Sequence, residues 1–576
     1  MQYPMLRVPS ASREMLDAFG GYNHNLRIGD GEFYDMQNLT SDYYPVLSPR
    51  GQRGVYVHPE SGCTGMIAKD ALCYVDGSAF VINEYRVEMD LSEEPKQLIS
   101  MGAYVVILPD KKWINTLDLS QYGSIEAEFT TQEEVNLELC SLTGDLYTEA
   151  VKSDTAPEEP ANLALWIDTS STPHVLKQYS ENSGMWVSIA TTYIKISSAG
   201  IGMEFEKYDG VTISGIGEDG PQALNASMVI WEKDVDFIVV VGILDEIYTQ
   251  NGITVKREMP EMDYVIESGN RLWGCRYGKA LNGEVVNELY CSKLGDFKNW
   301  NCFMGISTDS WVGSLGTDGQ FTGAISHLGY PLFFKENCLH KVYISSAGAH
   351  QVQDTVCRGV QKDCNKSLAI VGETLFYKAQ SGIMAYDGSL PVECSAVLGN
   401  VQYSNAVGGA LGNKYYVSMQ DSAAGWHLFV YDTAKGMWHR EDTLQVKEFC
   451  ACRGELYAAC EDGILTVLGS GTKDTAPVQW MAQTGQVGLS NPDMKYISRL
   501  LIRLQLDPGA VLRIFVQYDL SGEWLPICTL TGTSLRSFSL PVRPRRCDHL
   551  ALRFEGTGNA KLYSITKTIE QGSDRS

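Results

Sequence analysis

Gly372-Glu373-Thr374-Leu375-Phe376-Tyr377, running on to Gly382-Ile383, is echoed at Gly454-Glu455-Leu456-Tyr457-Ala458, running on to Gly463-Ile464. Leu375 to Ile383 and Leu456 to Ile464 are the same eight-residue step. The opening phrase, a glycine, two variable residues and a large apolar or aromatic residue, also occurs at Gly269–Leu272, Gly329–Leu332 and Gly412–Tyr415. Successive glycines therefore stand 60, 43, 40 and 42 residues apart. In the unit at Gly412 the hairpin is longer, Tyr415-Tyr416-Val417-Ser418 to Leu428-Phe429-Val430-Tyr431. A period of about 40–50 residues, each unit made of short strands, is the pattern of a β-propeller blade.

Working towards the N-terminus, two more hairpins carry the same grammar. Leu72-Cys73-Tyr74-Val75 turns through Asp76-Gly77 into Phe80-Val81-Ile82, and Tyr104–Leu108 turns through Pro109-Asp110 towards Trp113. Apolar run, short turn, apolar run is the hairpin signal. Together the units predict six or seven blades. Before them, residues 1–55 are rich in turns (Gly20-Gly21, Gly29-Asp30-Gly31, Tyr44-Pro45) and read as an extended arm without a core of its own.

Between the two blocks of blades the rhythm stops. Residues 118–236 hold 21 Asp and Glu against 5 Lys and Arg, an acidic insertion with strand-like runs such as Ala164-Leu165-Trp166-Ile167. Phe237–Val241 reads as the return to the propeller, which continues to residue 475. From 476 the text changes again: Leu500–Leu504, Leu512–Val516 and Leu550–Phe554 are apolar strands separated by Pro508-Gly509, Ser521-Gly522 and Gly556-Thr557-Gly558. The expected fold is all-β. It is a β-propeller of six or seven blades (56–117 and 237–475) with an N-terminal arm (1–55), an inserted acidic β-domain (118–236) and a C-terminal β-sandwich (476–576) that ends in a polar tail from Glu570.

Composition fits this. Of 576 residues 44% are hydrophobic and 20% charged, with 55 glycines and 30 tyrosines, which suits many turns and half-buried strands. The net charge of −24 argues against a grip on phosphate backbones, where affinity comes from Lys and Arg releasing counterions. It is compatible with a wall along which DNA passes without sticking. Fifteen cysteines, odd in number and irregular in spacing, with no Cys-x-x-Cys, read as buried free thiols of a reducing compartment. The first thirteen residues lack an apolar run of signal length, and the most apolar stretches are strand-sized, so a cytoplasmic origin and no membrane contact are expected.

Several motifs invite chemistry and are set aside. Gly215-Ile216-Gly217-Glu218-Asp219-Gly220 fits the dinucleotide pattern, but two acidic residues would repel phosphates and Pro221 precedes no long apolar helix. The nine histidines are not at metal-ligand spacing. No Gly-x-Ser-x-Gly elbow or Walker loop is present. Ser307-Thr308-Asp309-Ser310-Trp311 is only distantly like the repeated turns of sialidases and does not recur. Arg543, Arg545 and Arg546 form the one dense basic cluster, suited to a solvated loop or an acidic protein partner.

The run Gly269-Asn270-Arg271-Leu272-Trp273-Gly274, followed by Leu289-Tyr290-Cys291-Ser292-Lys293-Leu294-Gly295-Asp296-Phe297-Lys298-Asn299-Trp300, resembles a recurring blade of the podovirus tail nozzle or tail hub proteins, also called packaged-DNA stabilisation proteins. Asp30–Leu39 with Leu47–Arg50, Leu332–Glu336 and Gly382-Ile383-Met384-Ala385-Tyr386-Asp387-Gly388 are similar to the same group. The resemblance implies a structural virion protein of the tail, made in the bacterial cytoplasm. It implies a homo-oligomeric ring, six copies favoured, that contacts other tail or portal-adaptor proteins and forms or closes the channel for DNA ejection. Trp273, Trp300, Asp296, Gly382, Asp387 and Gly388 are then blade-forming residues. No catalytic, cofactor-binding or metal-binding residue is expected, and the chain is expected not to be an enzyme. The alternative is a carbohydrate-binding or glycan-hydrolysing propeller at a host cell surface, with Trp524 a candidate for stacking on sugar.

Overall fold

All five glycines of the repeat sit in the tight turn between the first two strands of a sheet, with φ between 59° and 79°. A side chain built on any of them would meet nothing within 4 Å, so the demand is for backbone handedness rather than for space. In three of these turns the neighbouring residue (Asn270, Leu328 or Arg453) is also left-handed, the conformation that matches the twist of a two-residue hairpin.

The computed structural model describes residues 11–280, 283–344, 349–473, 476–489 and 493–571. Among these the chain is all-β, and its helical segments are three-residue 3-10 turns. The propeller consists of seven antiparallel sheets, six of four strands and the last of five, with Thr472–Lys473 as its extra edge strand. Blade I holds Cys63–Ala68, Leu72–Asp76, Ala79–Ile82 and Tyr85–Glu88; blade II holds Gln97–Met101, Tyr104–Leu108, Lys112–Asn115 and Tyr122–Ser124. Each early hairpin is thus the centre of a full blade. Blade III runs from Tyr264–Glu267 to Trp311–Ser314, blade IV from Phe321–His327 to His350–Val356, blade V from Ala369–Val371 to Val392–Glu393 and blade VI from Tyr403–Leu411 to Met437–Arg440.

Blade VII takes three strands, Glu448–Cys452, Glu455–Ala459 and Ile464–Thr466, from the end of the propeller and its fourth, Gly54–Val57, from the N-terminal segment. Ile464, Leu465 and Thr466 pair with Val57, Val55 and Gly54. Blade VII packs against blade I through Ala459, Ile464, Met66, Leu72 and Tyr74. The first propeller strand therefore belongs to the last blade. Sharing a blade between the two ends of a repeat array removes an open edge there.

The chain divides into two compact units, one of residues 1–95, 333–340 and 354–576, the other of 96–332 and 341–353. In the first, the C-terminal sandwich is hydrogen-bonded as one eight-stranded sheet around the long strand Lys495–Tyr518. Its first half pairs with Ala560–Gln571 and its second half with Leu550–Thr557, the change of partner falling at Asp507-Pro508-Gly509. Leu500, Ile502, Leu504 and Leu506, then Leu512, Ile514 and Val516, give the alternating buried face. The N-terminal segment is built into this sheet: Ala11–Leu16 pairs with Ala560–Gln571, and Glu32–Gln37 with Gln479–Thr484. Phe33 and Met36 are buried, so the segment without a core borrows one from the C-terminus of its own chain. The polar tail lies, beyond Gln571, outside the described residues.

In the second unit the insertion is a four-stranded and a five-stranded sheet around a core that includes Val135, Leu137, Ile194, Ile196, Val211, Ile238, Val240 and Val255. A further four-stranded sheet spans Val151–Ser153 to Met185–Ser188. Phe237–Val241 is not the return to the propeller. It lies inside the five-stranded sheet, paired with Tyr193–Ser197 on one side and Glu232–Asp234 on the other. A wholly apolar five-residue run looks the same in a blade as in a sandwich, and the blades resume only at Tyr264–Glu267. Gly215–Gly220 forms a turn of this insertion, with Ile216 in its core.

Candidate functional site

Two polar constructions stand out, one in each unit. The first is the loop of blade III between Cys291 and Trp311, which carries Ser292–Trp300. Arg271 follows the Gly269-Asn270 turn and is almost fully buried. Its guanidinium donates to the carbonyls of Ser292 (2.9 Å), Asp309 (2.7 Å) and Ser307 (2.7 Å), drawing the two ends of the loop together. Asp309 Oδ2 accepts the backbone N–H groups of Met304 (2.6 Å), Gly305 (2.6 Å) and Ile306 (3.1 Å). The sialidase-like turn is thus occupied in holding its own loop.

Asp296 Oδ1 accepts from Lys298 N (3.0 Å) and its Oδ2 from Asn299 Nδ2 (2.6 Å), setting the Asn299 amide. That amide also donates to Asp209 Oδ1 of the insertion (2.9 Å), while Asn299 Oδ1 accepts Gly210 N–H (2.8 Å). Asp209 Oδ2 is taken by Arg257 at 2.5 Å, with both side chains about 95% buried. A Cβ at Gly210 would come within 2.7 Å of Asn301 Oδ1, so the backbones meet here without room for a side chain. The loop is the seat on which the acidic insertion is fixed.

Trp300 lies beneath it, its indole N–H bonded to Phe297 O (3.0 Å) and its ring in a core shared by Ile99, Val106 and Leu108 of blade II and Leu272 of blade III. Trp273 is likewise buried; its N–H donates to Ser268 O (3.0 Å) and its ring meets His350 edge-on at 5.2 Å. Gly382, Asp387 and Gly388 belong to blade V instead. A Cβ at Gly382 would stand 2.3 Å from Ser395 Oγ, Asp387 Oδ1 accepts Ser389 N–H (3.0 Å) and its hydroxyl (2.6 Å), and Gly388 has φ +106°.

The second construction is a polar cleft of about 390 Å³ in the first unit, lined by Asp42, Tyr43, Lys414, Glu441, Asp507 and Lys561 among others. Lys414 Nζ meets Asp42 Oδ1 at 2.5 Å and Thr40 Oγ1 at 3.2 Å. Burial pushes the Asp42 carboxyl up, but the Lys414 hydrogen bond and charge outweigh it and hold the group below its ordinary range. Glu441 and Asp442 face Arg53 at 2.6 and 2.5 Å, and Arg50 lies 3.2 Å from Asp442. For Asp442 too, burial is outweighed by the Arg53 charge, and the pKa falls. Asp507 accepts from Asn559 (3.2 Å), and Lys561 Nζ sits 4.3 Å from the Tyr43 ring centre. Cations, carboxylates and tyrosine rings on a concave wall can hold a polar, ring-bearing ligand. Sequence reading missed this cleft, because its residues come from the N-terminal segment, blade VI and the C-terminal sheet and share no local motif. Trp524, singled out from sequence, is half-buried, with the Arg553 guanidinium 5.7 Å from its ring centre.

No protein-family model and no curated protein matches the chain. Solved structures do. An exo-β-1,3-galactanase from Phanerochaete chrysosporium is 8% identical, over 53% of this chain and 94% of that one, with a TM-score of 0.20. Pyrococcus horikoshii acylaminoacyl peptidase is 11% identical over 51% and 50%, at 0.24. Trypanosoma rangeli sialidase is 8% identical over 98% and 96%, at 0.19. The expectation that the chain is not an enzyme is corrected by these matches, since they are with glycoside hydrolases and a peptidase. Likeness at this level ties none of their substrates to this chain.

Proposed function

We propose that the chain is a structural component of a bacteriophage tail, a propeller wall of the nozzle or hub type that carries an acidic insertion beside the path of DNA. The observation that carries this reading is the seat of the insertion. The residues of the tail-protein-like phrase, Arg271, Asp296, Asn299 and Trp300, are spent on closing a loop and fixing a domain. A scaffold needs such residues. The insertion holds 21 acidic against 5 basic residues over 118–236, a surface that repels phosphates rather than binding them. In this reading copies of the chain form a closed ring, six favoured. Electron microscopy and native mass spectrometry of the purified protein, alone and with its tail neighbours, test it. A ring of fixed copy number is the expected result; a strict monomer in both settings would overturn it.

A second reading is favoured by the cleft: a propeller that binds or cleaves glycans at a host surface. Asp42, Glu441 and Asp507 offer carboxylates, and the exposed Tyr43 offers a ring to a sugar. Glycan-array binding and hydrolysis assays on the wild type and on Asp507→Asn decide it. Binding or cleavage abolished by that substitution would favour the glycan reading over the tail wall.

A further inference from the structure

Blade IV carries a group of side chains that neither reading uses. Cys338 and His340 stand two apart on the strand Cys338–Ile344, so both project from the same face. His340 Nε2 lies 3.4 Å from Cys338 Sγ. On its other side His340 Nδ1 lies 2.7 Å from Asp354 Oδ1, which comes from the neighbouring strand His350–Val356. The order thiol, imidazole, carboxylate, each within hydrogen-bond reach of the next, is the arrangement that activates a nucleophile.

The proton positions follow from the chemistry of the groups. An ionised carboxylate only accepts, so Nδ1 carries the hydrogen and donates it to Asp354. Nε2 is then left with its lone pair towards the thiol. Burial lowers the His340 pKa, the Asp354 hydrogen bond and charge oppose this, and Lys335 adds to the lowering; the imidazole is therefore neutral at neutral pH, the form in which it can act as a base. Exposure decreases towards the middle of the trio. The Asp354 side chain is 47% exposed, that of His340 is closed off, and Cys338 retains 8% of its surface.

We propose that Cys338 is an activated thiol and a covalent modification site for small electrophiles, with His340 as its base and Asp354 as the positioning carboxylate. With a small disulfide the step balances without another reactant. The Cys338 proton passes to His340 Nε2, the sulfur forms a bond to one sulfur of the disulfide, and the S–S bond breaks. The departing thiolate then takes the proton from the imidazolium. With an alkyl halide the same proton transfer accompanies formation of the C–S bond and loss of halide.

The test uses the full chain in its native state and iodoacetamide at less than one equivalent, with every cysteine peptide followed by mass spectrometry. Cys338 should be alkylated about tenfold or more faster than the buried Cys291 and Cys364. His340→Gln should remove that advantage, and Asp354→Asn, at a half-exposed position, should reduce it with the melting temperature held. The pH profile separates a base from a packing role. In the wild type the rate should stay level to below pH 6.5, while an unassisted thiol loses about tenfold per pH unit below its pKa. Cys338 reacting no faster than Cys291, or a wild-type profile with the unassisted slope, would overturn the proposal. If His340→Gln does not fold, Asp354→Asn and the wild-type profile still decide.

Discussion

Asn299 Nδ2 donates to Asp209 Oδ1 at 2.9 Å across ninety positions of sequence, and this bond joins blade III to the domain inserted between blades II and III. Asn299 is wholly buried and Asp209 is 3% exposed. Asp209 also neutralises Arg257, so one carboxylate satisfies both a buried amide and a buried guanidinium. Asp209→Ala should leave Arg257 charged, buried and unpaired, at a cost of about 3–5 kcal/mol. Denaturant unfolding measures the cost, and hydrogen exchange should show the greatest loss of protection in the insertion. A loss under about 1 kcal/mol would mean that the joint is held elsewhere.

Trp300 supplies the apolar half of the same construction. Removing its ring by Trp300→Ala opens a cavity between blades II and III and should cost about 3–5 kcal/mol. Trp300→Phe keeps most of the volume but loses the hydrogen bond to Phe297 O, and should cost less than half as much. Equal losses in the two variants by thermal or urea unfolding would show that the N–H, not the ring, carries the contribution.

The glycine steps make a sharper test, because their role is a matter of handedness alone. Gly454 has φ +79° and open space where a Cβ would stand. Gly454→Ala should therefore cost about 1 kcal/mol, from backbone strain, and Gly454→Asn clearly less, since asparagine tolerates this region. Gly382 is the contrast. A Cβ there would stand 2.3 Å from Ser395 Oγ and 2.9 Å from Glu393 Oε1, so Gly382→Ala should destabilise through a clash that asparagine does not relieve. Unfolding midpoints of the four variants check the pattern.

These turns are also why the propeller was legible in sequence. A left-handed turn leaves a glycine in the text, and five such turns at near-constant spacing identify the blades without any knowledge of their packing. The end of the insertion was not legible, because Phe237–Val241 has the same apolar text whichever sheet receives it. The strand Gly54–Val57 carries no local mark of belonging to blade VII, more than four hundred residues further on. The sites fared as the insertion did. Asn299 with Asp209, Asp42 with Lys414 and His340 with Asp354 are each made by bringing different strands or loops together. Cys338 and His340 share one strand, but the third member of their group is supplied by the next strand.

His439 gives the protein an acid-sensitive core. It is buried on blade VI, and burial lowers its pKa to about 3; the nearby Lys414 lowers it further, Asp42 and Asp432 oppose, and Lys435 again lowers it. The unfolded chain takes up this proton near pH 6.5. As pH falls below 6.5 the unfolded state therefore gains a proton that the folded state refuses, and stability is lost until about pH 3, where both forms are protonated. The loss over that window is on the order of 5 kcal/mol at about 1.4 kcal/mol per unit. The buried carboxylates act in the same direction but lower on the scale. Asp442, with its folded pKa depressed, contributes stability above its unfolded value near 3.9 and gives it up as pH falls through the folded one. Urea unfolding of the wild type from pH 7 to pH 4.5 lies above most of the Asp442 window and should show the His439 slope. His439→Phe, which has no proton to gain, should flatten that slope while leaving the steeper loss below pH 4. A variant curve parallel to the wild type between pH 7 and 4.5 would show that His439 is protonated as readily in the folded chain as in the unfolded one.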